Sequence, residues 1–476
     1  MKRVILLLGL VVFLAAPGRA QNSGKDKVAI ALDSRADAYA AVAHQLWEWA
    51  EVGFQEEKSS RLLQEELARE GFAVEAGVAG IPTAFVARYG SGAPVIGMLA
   101  EFDALPGLSQ MATAKKHPRV VDGAGHACGH HLFGTASVAA GVAIKDYLKE
   151  QGGPGTIIVY GTPAEEGGSG KVYMVRAGLF DDVDAVLHWH PGDRNDASPA
   201  TTLANRSAKF RFHGHATHAA GAPERGRSAL DGVEAMNLMV NLLREHVPSE
   251  ARIHYVITRG GLAPNVVPDF AEVYYYVRHS DADIMENLFA RVVKAAEGAA
   301  LGTGTEVDYE IIHGNHSVLP NETLARAVHA NLQGLSGVSY SEEETAFARA
   351  IRETIESPSR DLGSERTTQP FAPRTTMGST DVGDVSWVAP TVGFYASTWV
   401  PGTSAHSWQA VAAGGMSIGA KGMVLAAKTL AMTALDLYSD PSLLEAARTE
   451  FDKRRGPDYA YRALLGDRLP PLDYRR

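Results

Sequence analysis

Two kinds of hydrophobic patterning alternate along this chain. Residues 34–51 and 56–70 read as two helices, the second (EEKSSRLLQEELARE) closed by Gly71 as a C-terminal cap. Short apolar runs bounded by Gly and Pro then predict buried strands over Pro94–Ala100, Thr156–Thr162, Val183–Pro191 and Thr391–Ala396. Each run leads into acidic or imidazole groups. Glu101 and Asp103 follow the first, Glu165 and Glu166 the second, His190 ends the third, and His406 lies in the loop beyond the fourth. Ligands of open α/β sheets collect outside the carboxyl ends of the strands, so four distant stretches are expected to converge on one edge.

From Asn205 to His313 the pattern changes. Strand, helix, strand, strand, helix and strand succeed one another (SAKFRFHG, SALDGVEAMNLMVNLLREH, RIHYVITRG, FAEVYYYVR, DADIMENLFARVVKAAEG, EVDYEII), which is the order of a small independent α+β unit. Asn321–Glu356 reads as largely helical, Ser357–Arg374 as loop, and a long helix precedes Ser439. The predicted fold is α/β. A mixed-sheet catalytic domain with helices on both faces is expected over 27–204 and 316–440. It is interrupted by a ferredoxin-like unit over 205–315 and followed by a charged tail, 441–476, that carries no recognisable role.

With 476 residues the chain exceeds what one hydrophobic core organises. At 45% hydrophobic, 21% charged and a net charge of −10, it is neither disordered nor built for nucleic acid. A small-molecule partner is expected. Met1–Ala20 has Lys2 and Arg3, an apolar run and small residues ending at Ala20, which reads as an export signal too short to span a bilayer. The mature protein is expected to be periplasmic or secreted, with no membrane association. A single cysteine excludes an intramolecular disulfide and, in an oxidising compartment, needs a reason to be kept.

That cysteine lies in GAGHACGHHLFGT with His126, His130 and His131. Cys128 and His130, two apart, point the same way only on an extended or turning backbone, so the pair belongs on a loop at the N-terminus of the helix that LFGTASVAAG opens. Thiolate and imidazole are ligands that zinc prefers, and the alternative for this segment alone is a buried free cysteine beside ordinary polar histidines. Adjacent Glu165 and Glu166 can face different ways on a turn, one toward a metal and one toward a water, the division of labour metal-assisted hydrolysis requires. Asp103 suits either a loop cap, the commoner role for a single aspartate, or a hydrogen bond to a ligand histidine that fixes its tautomer. His188 shares a face with His190, as a group behind the ligands or as core. Gly415, Ser417 and Gly419 spell G-x-S-x-G, but no histidine follows Ser417, and QAVAA is too small for the strand a nucleophile elbow needs.

Together, EFDALPGLSQ, DGAGHACGHHLFGTA, TPAEEGGSGK, HWHPGD, GHATHAAGAPERGRSALD, GLAPNVVPD, STDVGDVSW and HSWQAVA make the chain closely resemble one enzyme family, from about Trp47 to Leu437. This is the family of dinuclear metallo-amidohydrolases and metallopeptidases that includes hippurate hydrolase, plant auxin-amide hydrolases and carboxypeptidase G. The resemblance implies that Cys128, His130, Glu166, His190 and His406 hold two divalent metal ions, zinc or manganese, with Glu165 as general base. It implies further that the inserted unit is a dimerisation lid, so that the chain forms a homodimer. His218, in the match to G-x-x-x-H-A at Gly214 to Ala219, would then stabilise the oxyanion in the partner's site, and Asn265 and Arg278 would hold the substrate. The implied reaction is metal-dependent hydrolysis of the amide of a small N-acyl amino acid or p-aminobenzoyl-glutamate-like substrate. A dipeptidase of the same family and a secreted binding protein without catalysis are the alternatives. His131 stands where relatives commonly carry Asp or Asn, and neither it nor His126 has an assigned role.

Overall fold

Three helices open the chain, α1 (Pro17–Ser34), α2 (Ala36–Trp49) and α3 (Glu57–Arg69). The computed structural model describes the backbone of residues 17–475 and side chains from Gly24 onward, so most of the expected signal segment lies outside the described residues. α2 and α3 correspond to the two expected helices; α1 was unforeseen because its first turn falls in residues set aside as a leader. On α3, Leu63 and Leu67 stand four apart and are fully buried, the single stripe a helix on a sheet presents.

Five strands follow in the first part of the chain: β1 (Ala73–Ala76), β2 (Phe85–Ser91), β3 (Val95–Ala100), β4 (Gly155–Gly161) and β5 (Ala185–Leu187). All seven residues of β4 are buried, since it lies between β2 and β3 with helices over the sheet, which is why its sequence runs apolar without alternation. Between β3 and β4 runs α4 (His130–Gln151), buried along most of its length, and α5 (Gly170–Arg176) follows β4.

Next come β6 (His190–Gly192) and β7 (Ala200–Thr201), and then the second unit: β8 (Ala204–His213), α6 (Ala229–Leu243), β9 (Arg252–Arg259), β10 (Phe270–His279), α7 (Ala282–Thr303) and β11 (Glu306–Asn315). Its four strands are antiparallel in the order β11-β8-β10-β9 and carry both helices. This unit has its own core, built around Phe210, Phe212, Val273, Tyr275 and Val292.

The remaining elements are α8 (Glu322–Gly334), α9 (Glu342–Arg352), β12 (Arg374–Thr375), α10 (Val382–Ser386), β13 (Thr391–Val392), β14 (Tyr395–Ser397), α11 (Trp408–Gly414), α12 (Ser417–Ser439) and α13 (Pro441–Arg455). β13 completes a six-stranded mixed sheet, β1-β2-β4-β3-β5-β13. α12 is long and apolar enough to cross a membrane, yet 78% of its apolar window is buried in this fold, packed on α1, α4 and α8.

Two expected strands are each broken in two. Val183–Pro191 becomes β5 and β6, and Thr391–Ala396 becomes β13 and β14, with β6 pairing β14 in a separate parallel ribbon. The break occurs where His188 faces Gly393, at which a Cβ would meet the imidazole at 2.2 Å. The upper halves leave the main sheet there and wall a cavity instead of extending the core.

Candidate metal centre

The strand ends converge. Cys128 sits in the loop before α4 and His130 is that helix's first residue, joined by Gly129 at φ 78°, a left-handed turn that glycine adopts without strain. Sequence reasoning placed both on the loop; the helix instead begins at His130. Cys128 Sγ lies 3.4 Å from His190 Nε2, and His406 Nε2 lies 3.1 Å from Glu166 Oε1. Three groups of donor atoms each fall within 4.8 Å: Cys128, His130 and His190; Cys128, Glu166 and His406; and Glu101, His130 and Glu165. Cys128 belongs to the first two.

Asp103 ties these elements together. Its Oδ1 is 2.8 Å from His130 Nδ1 and its Oδ2 accepts the amide proton of Glu166 at 2.9 Å. The first contact leaves Nε2 of His130 as the nitrogen facing the cluster. Burial disfavours the Asp103 carboxylate, but His130, the Glu166 amide and Lys171 outweigh it and hold its pKa below the usual range. Burial likewise opposes a charge on His130, and Cys128, Asp103 and Glu101 overcome it, so its pKa is well raised. The Cys128 thiol is pushed up by burial and by Glu166. Glu165 is pushed well up by burial and by Glu101 and Glu166. Negative charge is thus crowded around this point, the condition in which a cation is welcome.

The donor set fits a metal ion on a further observation. His130 Nε2 and Glu101 Oε2 are buried without hydrogen-bond partners among the described residues, and Glu166 Oε1 is buried with only the His406 ring nitrogen, at 3.1 Å, beside it. His130 Nε2 and Glu101 Oε2 stand 3.1 Å apart without hydrogen-bond geometry. Buried polar atoms are otherwise nearly always satisfied.

Beneath the cluster runs a buried line of charge that sequence reasoning missed. Lys171 Nζ is 2.6 Å from Glu101 Oε1 and 2.6 Å from Asp381 Oδ1, and its backbone amide donates to Asp381 Oδ2. Burial would lower the Lys171 pKa, but Asp381, Glu101 and Glu165 raise it. A lysine opening the otherwise apolar KVYMV stretch after GGSG was the available signal.

His126 and His131 take scaffold positions. Their Nε2 atoms lie 3.0 Å from Leu46 O and 3.1 Å from Gly414 O, and their rings stand 4.8 Å apart. Burial and nearby histidines hold His126 at a pKa of about 3 and His131 well below its ordinary value. Each meets a backbone carbonyl, which ties the loop at His126 to α2 and the first turn of α4 at His131 to α11. Ser417, the G-x-S-x-G serine, opens α12 after a helix instead of a strand and donates to Glu344 at 2.6 Å, so it is no elbow nucleophile.

A cavity of about 310 Å³ adjoins the cluster, lined by Glu165, Glu166, Cys128, His190 and His406 and walled by Phe133, Pro199, Phe394 and Tyr395, with His188 also on its surface. Among the described residues, no lysine or arginine lines it. His218, Asn265 and Arg278 lie on the second unit and do not line it either. His218 is exposed, and its Nδ1 accepts the amides of Ala220 and Gly221 at 3.2 and 3.0 Å, leaving the proton of the neutral ring on Nε2. Ala219 N donates to Asn265 O at 3.0 Å, so the two loops form one rim. Arg278, on β10, stacks on Tyr276.

Residues 97–412 match peptidase family M20/M25/M40. One component of the p-aminobenzoyl-glutamate hydrolase of Escherichia coli K12 is 41% identical over 447 residues, covering 88% of this chain and 93% of that one. The Xaa-Arg dipeptidase of Mus musculus is 31% identical, covering 90% and 92%. Among solved structures, the YXEP protein of Bacillus subtilis, a dinuclear metal-binding peptidase, shares the fold at a TM-score of 0.59 and 18% identity, over 85% of this chain and 99% of that one.

Proposed function

This chain belongs to peptidase family M20/M25/M40 and is a hydrolase of amide bonds, and we propose that it cleaves a small N-acyl amino acid or p-aminobenzoyl-glutamate-like amide. The observation that carries this reading is a pair of three-donor groups sharing Cys128, beside a Glu165 that lines the same cavity. Cys128, His130 and His190 would hold one divalent ion and Cys128, Glu166 and His406 a second. The thiolate and imidazoles suit zinc, and the carboxylate and imidazoles also suit manganese. When bound, the ions would acidify a water and polarise the scissile carbonyl.

Glu165 takes the proton from the attacking water and returns it to the leaving amine. Its crowded carboxylate surroundings favour the protonated form, and positive charge at the cluster would draw it back toward a base. An apolar, aromatic wall without a cation suits an uncharged acyl group. The free carboxylate of the substrate would then be met from the second unit, by Asn265 and Arg278, while His218 of a second copy donates its Nε2 proton to the oxyanion.

The surface that would bring a second copy is the edge strand β9 with α6, where Leu238, Leu242, Val256 and Ile257 are exposed. Open strand edges with apolar side chains invite pairing. Residues 1–20 are proposed to direct export to the periplasm or beyond. Likeness to a dipeptidase motivates a second reading, an exopeptidase, which a panel of Xaa-Arg dipeptides against p-aminobenzoyl-glutamate separates from the first. A secreted binding protein without catalysis would have no use for Glu165. Glu165→Gln is expected to cut turnover by about a hundredfold or more, with metal content unchanged. Activity within a few fold of the parent overturns the assignment.

A further inference from the structure

The residues after α13 carry no motif, yet their course is closely specified. Arg206 Nε donates to Leu464 O at 2.9 Å, and Leu464 is buried in the core of the second unit, whereas Leu465 is buried in the main core. Arg468 donates to the carbonyls of Ile311 and Ile312 on β11, both at 2.7 Å, and Arg176 of α5 donates to Gly466 O and Arg468 O. Gln55 Nε2 donates to Leu472 O at 2.6 Å, and the Tyr474 ring meets Phe54 edge-on at 5.6 Å. The segment ends behind the metal centre, where Tyr474 OH and Arg475 Nη2 donate to the backbone carbonyl of Glu166 at 3.1 and 2.7 Å.

That carbonyl belongs to a tight turn in which the Gly167 and Gly168 amides donate to Glu165 O and Ala164 O at 2.7 and 3.0 Å. Ala164 and Ser169 both adopt left-handed φ of 58°, a conformation non-glycine residues hold only when their surroundings impose it. The amide of Glu166 is fixed by Asp103, but its carbonyl leads into Gly167 at φ 93°, where a glycine adds no side chain to hold the backbone in place. Among the described residues, Tyr474 and Arg475 are the donors to that peptide's carbonyl, while its own N–H, on Gly167, donates to Glu165 O at 2.7 Å.

Resting on the proposed function, we propose that Tyr474 and Arg475 are positioning residues that fix the Glu165–Glu166 turn from behind, through the Glu166 carbonyl. Losing both donors leaves the 166–167 peptide with only the contact inside its own turn, from Gly167 N–H to Glu165 O, to set its orientation. The Glu166 carboxylate then leaves His406 and the Glu165 carboxylate loses its placement, while the core that sets folding stability is untouched.

The test compares Tyr474→Phe, Arg475→Gln and the double variant in the full-length enzyme, loaded with zinc or with manganese. The double variant is expected to lose kcat by about tenfold or more and to weaken the metal dissociation constant, measured by chelator competition, by about tenfold. KM and Tm should stay near the parent's, and Arg475→Lys, which keeps a donor, should recover most of the loss. Metal affinity and kcat within twofold of the parent, or losses that simply follow a fall in Tm, overturn the inference. Glu165→Gln measured alongside separates the two failures. If it retains activity the proposed function falls; if it is inactive while the tail variants are normal, only the positioning role falls.

Discussion

Lys171 Nζ lies 2.6 Å from Glu101 Oε1, and neither side chain reaches solvent. The same ammonium is 2.6 Å from Asp381, so one buried cation is shared by two buried carboxylates, one of which faces the candidate metal ligands. Lys171→Met strands both. Breaking a buried ionic group by removing one partner costs about 3–5 kcal/mol. We expect a urea midpoint lowered to match, partly restored by adding Asp381→Asn. An unchanged midpoint would show that the pair is already neutral in the folded chain.

Asp103→Asn keeps the shape of a side chain that accepts from both His130 and the Glu166 amide. An amide presents one acceptor and one donor, so one of those contacts becomes a clash of donors. Partners that orient metal ligands are worth about 10–100-fold in metal affinity. A loss of that size is expected in metal titrations, and affinity equal to the parent's would sink the idea that Asp103 orients the ligands.

The pKa values of the metal-free His130 and Cys128 both lie well above ordinary ones. Burial and Glu166 favour the protonated Cys128 thiol, so a metal must displace at least that proton to gain a thiolate ligand. Metal binding should release protons, and apparent affinity should rise with pH by about tenfold per unit for each proton displaced. Below neutrality the affinity falls. Calorimetry in buffers of different ionisation enthalpy counts the protons; no proton release between pH 6 and 8 contradicts this account of the site.

Ile257→Asp together with Leu238→Glu places charge on the exposed edge of β9 and on α6. If that face joins two copies, light scattering should report the parent's mass halved, and turnover should fall because His218 no longer reaches a neighbouring site. A parent that is already monomeric and active would remove both the interface and the His218 role.

How much was readable in advance depended on whether a residue's setting was local. Cys128 and His130 could be found because a lone cysteine among histidines is unusual by itself, and Glu165 and Glu166 because a buried strand runs directly into them. The four-stranded unit was legible because its alternation of periods is self-contained. Lys171 and Asp381 were not, since 210 positions separate them and only the fold creates their contact. Tyr474 and Arg475 gave no signal, for their partner is a backbone carbonyl, which has no letter in a sequence. The split of Val183–Pro191 was hidden for a related reason: it depends on Gly393, two hundred residues away, making room for His188.

The chain enters the second unit at Ala204 and leaves it at Asn315, and Asn205 and Asn315 are register partners on adjacent strands. Both covalent crossings therefore lie side by side, as a pivot. Gly314, where a Cβ would touch the backbone of Leu464 at 2.7 Å, belongs to that pivot. The rim bearing His218 begins beyond the far end of β8, about 30 Å away at the rise of an extended strand. A turn of ten degrees would sweep that rim through about 5 Å while shifting the tail's attachment very little. The lever is long on the side that would carry the donor and short on the side that steadies the base.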